Sequence, residues 1–191
     1  QNARRYPDKP AIVYGGSVVT YAQLDAQVDA LAAFLQQRLG VAPGQRVLLV
    51  SQNCPQFVAA CYAVLRAGAV VVPVNPMCKE AEIRFFVEDS GARIAFAAQE
   101  VLAQVPVGDQ PGELQQVVVH AYADALAGPV APPGVEMPEW VTAPRTALSH
   151  PCHVAWVDAL AAGLAFTPIA ASPDDLALLP YTSGTTGHPK G

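Results

Sequence analysis

Apolar positions along the chain follow two textures, short unbroken runs and a three-to-four spacing, and the two alternate. Ile12-Val13-Tyr14 and Ser17-Val18-Val19 flank Gly15-Gly16. Two β-prone runs joined by residues that tolerate positive φ predict a hairpin. Thr20-Tyr21-Ala22-Gln23 has the spacing of a capping box, and Leu24, Val28, Leu31, Leu35 and Leu39 then recur every three or four residues up to Gly40. This predicts a helix ending in a left-handed cap. Pro43-Gly44 turns the chain into Val47-Leu48-Leu49-Val50, an apolar run of strand length, as expected where both faces are covered.

The alternation continues. Asn53 can cap the next helix, Pro55 sits where a missing N–H is harmless, and Phe57 to Arg66 extend that helix until Gly68. Ala69 to Val74 is a second buried strand, so strand, helix and strand form a βαβ unit with a right-handed crossover. Lys79 to Asp89 predicts a further helix closed by Ser90-Gly91, and Arg93-Ile94-Ala95-Phe96 a further strand. Repeated alternation of this kind predicts an α/β fold with a doubly wound, largely parallel sheet.

The texture changes from Val105 to Pro173, where 10 of the 18 prolines fall. Periodicity survives near Val117-Val118-Val119 and from Val154 to Ala162, which predicts a strand, a long Pro-punctuated excursion, one short helix and a linker. Leu176-Ala177-Leu178-Leu179 is a last strand candidate. The chain thus divides into regular βαβ repeats over 1–104, the Pro-rich excursion over 105–173, and a strand with a polar loop over 174–191.

Composition narrows the function classes. Of 191 residues, 52% are hydrophobic and 14% charged, which excludes general disorder and supplies one sizeable core. Net charge is −5, and no basic run exceeds Arg4-Arg5, so there is no electrostatic footprint for nucleic acid. The longest apolar stretch, Phe57 to Leu65, is far short of the roughly 20 residues needed to span a bilayer. The N-terminus lacks both a Met and the apolar core of a signal peptide, so the chain reads as cut from something longer. Four cysteines without a C-x-x-C pair favour a reducing compartment, the cytoplasm by default, and Cys54 and Cys61 read as core filling.

The chemistry concentrates in Tyr181-Thr182-Ser183-Gly184-Thr185-Thr186-Gly187-His188-Pro189-Lys190-Gly191, where four aliphatic hydroxyls, three glycines and a lysine share eleven residues. Glycines let successive N–H groups converge on one anion, hydroxyls add short donors, and lysine adds a point charge. The combination describes a polyphosphate cradle. It is not the G-x-x-x-x-G-K-[ST] loop, because Pro189 lies five residues after Gly184 and Gly191 follows Lys190.

Position by position, the segment resembles the phosphate-binding signature Y-T-S-G-T-T-G-x-P-K-G of the adenylate-forming (AMP-binding) superfamily, which includes acyl-CoA synthetases, luciferases and adenylation domains of peptide synthetases. Thr20-Tyr21-Ala22-Gln23-Leu24 is similar to that family's T-Y-x-E-L segment with Gln for Glu, and Leu65-Arg66-Ala67-Gly68-Ala69 through Val72-Pro73-Val74-Asn75-Pro76 to its L-x-A-G-A-x-x-V-P-x-N-P segment. The resemblance implies the N-terminal part of the large domain of such an enzyme. It implies an ATP-dependent acid-thiol ligase that joins a carboxylic acid, fatty or related, to AMP and then to coenzyme A, with Mg²⁺. Thr182, Ser183, Gly184, Thr185, Thr186, Gly187 and Lys190 would then bind ATP, and His188 falls where the family varies.

The same resemblance places the family's adenine shelf, Mg²⁺-holding Glu, ribose-gripping Asp and C-terminal Lys in later segments, none of which can be placed here. No catalytic residue is therefore assigned, and these 191 residues alone are expected to be inert, the remainder of the parent chain being a required partner. Competing readings are an amino-acid-activating adenylation domain of a peptide synthetase and a non-catalytic nucleotide-binding module. His150, Cys152 and His153 have no matching ligand pair elsewhere and are not assigned to a metal. Glu80, Glu82, Glu88 and Asp89 read as a solvated helix face, and Trp156 with Leu160 as a small satellite cluster.

Overall fold

The computed structural model describes residues 2–126, 136–182 and 191. A short helix α1 (Asn2–Arg5) leads into the antiparallel hairpin β1 (Pro10–Tyr14) and β2 (Ser17–Thr20), with Val13 opposite Val18 and Tyr14 opposite Ser17. Helix α2 (Tyr21–Gln37) starts on the expected capping box, in which the Thr20 hydroxyl accepts from the Gln23 N–H and the Gln23 side chain accepts from the Thr20 N–H. Its regular turns stop before Leu39, and Gly40 takes the left-handed conformation after Arg38.

Strands β3 (Arg46–Val50), β4 (Val70–Val74), β5 (Ile94–Ala98), β6 (Gln116–His120) and β7 (His153–Ala155) form a parallel sheet in the order β4-β3-β5-β6-β7. The first crossover leaves β3 in one direction and the second returns on its other side, so the winding reverses between β3 and β5. Right-handed crossovers then put consecutive helices on opposite faces. Helix α3 (Pro55–Arg66) packs with α2 and the short helix Trp156–Leu160 against Val47, Leu49, Val71, Phe96 and Val118. Helix α4 (Glu80–Ser90) covers the alternate residues Leu48, Val50, Val72, Ala95 and Val117 on the other face. Strands β3 to β6 therefore bury residues on both sides, which is why they read as apolar runs.

Several local features differ from the sequence expectation. The cap of α3 is Cys54, whose sulfur accepts from the Phe57 N–H at 3.3 Å, and not Asn53. The stretch after Val105 adds β7 to the edge of the sheet, beside β6. Trp156, expected in a satellite cluster, stands in the main core with its ring edge-on to Phe96 at 5.9 Å. Burial of a large ring rewards the chain for returning to the sheet across the Pro-rich stretch.

Near the C-terminus the chain runs beside β4 for a single bridge. The Val71 N–H donates to the Ala177 carbonyl at 3.0 Å and the Leu179 N–H to the Val71 carbonyl at 2.9 Å. The expected strand over 176–179 is thus one parallel bridge at Leu178.

Candidate nucleotide-binding segment and a sealed polar cluster

Thr182 is exposed, and Tyr181 before it is half-buried. Ser183, Gly184, Thr185, Thr186, Gly187, His188 and Lys190 lie outside the described residues. What the structure does place is the frame of the segment. The Tyr181 hydroxyl donates to Asp89 Oδ2 at 2.5 Å, and its ring stands 4.8 Å from Phe86 and 6.3 Å from Phe85. Burial and the adjacent carboxylate both hold the phenol protonated, raising its pKa. Gly191 comes back to the same ring. Asp89, expected on a solvated face, is exposed but has this specific partner.

Two other acidic residues of α4 have local tasks. Glu82 accepts from the Lys79 N–H at 2.8 Å and Glu80 pairs with Arg84 at 2.9 Å. Arg84 also reaches Glu113, at 3.1 Å. His150 Nδ1 accepts from the Cys152 N–H at 3.2 Å, and its ring lies 5.3 Å from that of His153. Among the described residues no three His, Cys, Asp or Glu side chains converge to hold a metal.

Sequence reasoning missed a second constellation. At the carboxyl ends of β3 and β6, Ser51 Oγ lies 3.0 Å from His120 Nε2 and 3.3 Å from the Tyr122 hydroxyl, which accepts from the Gln52 N–H at 3.0 Å. Cys54 Sγ is 3.7 Å from Ser51 Oγ, and the Gln56 side chain donates to the Ala121 carbonyl at 2.8 Å. Open α/β sheets bind ligands at this end, near the reversal of winding. Here, however, the groups are closed off: Ser51, Cys54, Gln56, His120 and Tyr122 are each less than one-tenth exposed.

Burial pushes the His120 pKa down to about 3 and raises those of the Cys54 thiol and the Tyr122 phenol, so all three are neutral near pH 7. His120 Nδ1 and Gln56 Oε1 have no partner among the described atoms. A Ser–His pair with no access for substrate is a hydrogen-bond hub tying strand ends together, not a nucleophile. The available signal was a polar residue terminating each of two apolar runs, Val47 to Val50 and Val117 to Val119.

The match of the family model for AMP-binding enzymes runs over residues 1–191. The chain belongs to the AMP-binding enzyme family. This family is the adenylate-forming superfamily, and within it the chain is of the acyl-CoA ligase type. A long-chain-fatty-acid–CoA ligase of Salmonella typhimurium is 34% identical over 204 residues, covering 99% of this chain and 34% of that protein. A 3-hydroxybenzoate–CoA ligase of an Aromatoleum species is 31% identical over 191 residues, covering 98% and 31%. The inhibitor-bound N-terminal domain of FACL13 from Mycobacterium tuberculosis superposes with a TM-score of 0.70 at 28% identity, covering the whole of this chain and 41% of that one. The chain thus spans about a third of the length of the curated relatives named here. Its doubly wound sheet is the family's N-terminal architecture. It is related to fatty-acid and aryl-acid CoA ligases.

Proposed function

We propose that this chain is the N-terminal part, as 1–104, 105–173 and 174–191, of an ATP-dependent acid–thiol ligase acting on a carboxylic acid, fatty or related. In the first step a carboxylate oxygen bonds to the α-phosphorus of ATP and the bond to the β-phosphate breaks, giving an acyl-adenylate and pyrophosphate. In the second, the sulfur of coenzyme A bonds to the acyl carbon and AMP leaves. Negative charge builds on the departing pyrophosphate, so fixed donors around the β- and γ-phosphates lower the barrier to the first step.

Thr182, Ser183, Thr185 and Thr186, with the amides of Gly184 and Gly187, are the donors in this reading, and Lys190 supplies the charge. The donor set fits: hydroxyls, amides and an ammonium all offer protons to an anion, and the segment carries no carboxylate to repel it. Mg²⁺ would neutralise part of the triphosphate charge as the companion of the nucleotide. The similarity to a long-chain-fatty-acid–CoA ligase and a 3-hydroxybenzoate–CoA ligase supports coenzyme A as the thiol and a fatty or related acid as the carboxylate. A reducing compartment such as the cytoplasm suits four free thiols; among the described residues no helix is long and apolar enough to cross a membrane.

The observation that carries this reading is the unbroken match of residues 181–191 to the family's signature. Its test is carboxylate-dependent exchange of pyrophosphate into ATP by the longer polypeptide that contains this chain. Replacing Thr185, Thr186 and Lys190 together by Ala is expected to lower exchange at least a hundredfold, since several charge-assisted hydrogen bonds at roughly 1.5–3 kcal/mol each are removed. An undiminished rate overturns the assignment of the segment.

A further inference from the structure

The expected strand over 176–179 forms one bridge and stops, although all four of its residues are apolar. The outer edge of β4 accounts for this. In a parallel ladder the N–H and C=O of one residue point to the same neighbouring strand, and successive residues alternate between neighbours. The Val70 N–H donates to the Gln45 carbonyl at 2.8 Å, so Val70, Val72 and Val74 face β3, while Ala69, Val71 and Pro73 face away. Of the three outward positions, the Ala69 N–H is taken by the Val64 carbonyl at 3.0 Å, and Pro73 has no N–H to give. Val71 alone is left to donate, and it donates to Ala177.

We propose that residues 170–179 form a releasable strap, fastened beyond both ends and bonded to the sheet once between them, and that Pro73 keeps it releasable by withholding the donor a second bridge needs. The proposal goes beyond the ATP-binding reading and does not depend on it. Proline at position 73 removes no bond to β3, because its nitrogen lies on the outward side of an edge strand. What it removes is the continuation of the ladder. In the register set by Val71, a donor at 73 would meet the Leu179 carbonyl, two residues past Ala177.

The fastenings lie on either side of this stretch. Upstream, Leu164 and Phe166 pack against the α2–α3 core, and the Gln36 side chain bonds both the N–H and the C=O of Thr167, at 3.1 and 3.0 Å. Downstream, the Tyr181 hydroxyl holds Asp89 at 2.5 Å. Between them, residues 170–178 are exposed throughout, and the bonds of the Ser172–Asp175 turn stay within the stretch. Among the described residues, the two bonds at Val71 are the hydrogen bonds that join 170–179 to the rest of the protein.

Little apolar burial resists lifting. Leu176 is 57% exposed and Leu178 45%, and Leu179 is the one half-buried side chain of the strap. Segments with few buried contacts and few backbone bonds open locally at far lower free energy than the sheet beside them. This strap is also a wall. Ala170, Ala171 and Leu176 bound one side of a cavity of about 560 Å³, with Arg46, Arg66 and Val70 across from them. Lifting the strap therefore widens that cavity without breaking any bond of the five-stranded sheet.

The test is amide hydrogen exchange, read residue by residue on the longer polypeptide that contains this chain and expressed as protection over the intrinsic rate. In the wild-type protein the Leu179 amide, bonded to the Val71 carbonyl, is expected to be at least about a hundredfold less protected than the Val70 amide, which holds β4 to the chain entering β3. Pro73→Val restores the missing donor and should raise protection at Leu179 roughly three- to tenfold relative to Val70, the scale of one backbone hydrogen bond. Using Val70 as the reference removes any change in global stability. Pro73→Ala restores the same N–H with a smaller side chain and should act in the same direction, should the valine variant not fold. Equal protection of Leu179 and Val70 in the wild type overturns the strap. An unchanged ratio in the variants overturns the role of Pro73, and the proposal with it.

Discussion

His120 ends β6 with its imidazole 2% exposed, one nitrogen 3.0 Å from Ser51 Oγ and the other without a described partner. Protonation would place a charge among Tyr122, Trp156 and Cys54 with no carboxylate bonded to the ring, so burial holds its folded pKa near 3 against 6.5 for the free group. The unfolded chain takes up the proton first as pH falls. The stabilising contribution is therefore fully present above pH 6.5 and is lost progressively as pH drops from there towards 3. One such group costs about 2 kcal/mol between pH 7 and pH 5. His120→Gln is expected to flatten this acid limb by that amount, whatever its stability at pH 7, in urea titrations of both proteins at the two pH values. Equal pH dependence in the two would mean that His120 does not titrate differently on unfolding. The polar residue at each run's end was visible in the sequence but the pairing was not, because Ser51 and His120 are 69 positions apart and meet only through the order of β3, β5 and β6.

Elements were far more legible than residues, and for a physical reason: a strand covered on both faces must be apolar at every position, whereas a helix covered on one face must repeat. Val47 to Val50 and the leucine spacing of α2 each carry one of these signals undiluted. β7 carries neither, since its three residues, His153, Val154 and Ala155, are too few to show a period, and its place beside β6 follows from the burial of Trp156. Caps show the same contrast. The Thr20 capping box is set by contacts within four residues, and it forms as its spacing predicts. At α3 the choice between Asn53 and Cys54 depends on which side chain the strand end turns inward, and the buried Cys54 takes the position. Thr20→Ala should therefore cost about 1 kcal/mol, whereas Asn53→Ala, which removes no cap, should cost less than about 0.5 kcal/mol. Chemical denaturation separates the two. A larger loss at Asn53 than at Thr20 would reverse the assignment of both caps.

At the scale of the whole molecule, two groups of polar side chains among the described residues are engaged in holding the fold. The largest concentration, around Ser51 and His120, is sealed. A cavity of about 560 Å³ lies at the opposite, amino-terminal ends of β3 and β4 and includes Arg46, Arg66 and Asp89 in its wall. Arg66 is paired there with Asp25 at 2.7 Å and Asp29 at 2.5 Å, Arg46 with the Ser90 carbonyl, and Asp89 with Tyr181. None of these is free to orient a carboxylate against the α-phosphorus. Activating an acid demands more than a grip on the leaving pyrophosphate: acid, ribose and α-phosphate must be held in line, and well-aligned orientation can supply up to roughly 7–11 kcal/mol of barrier reduction. The 191-residue chain by itself is accordingly expected to show no carboxylate-dependent exchange of pyrophosphate into ATP above buffer, across fatty acids of varied length and aromatic acids such as benzoates. Appreciable turnover by the purified chain would mean that a complete acid-activating site is assembled within these residues, and that the groups given structural tasks here do chemistry as well.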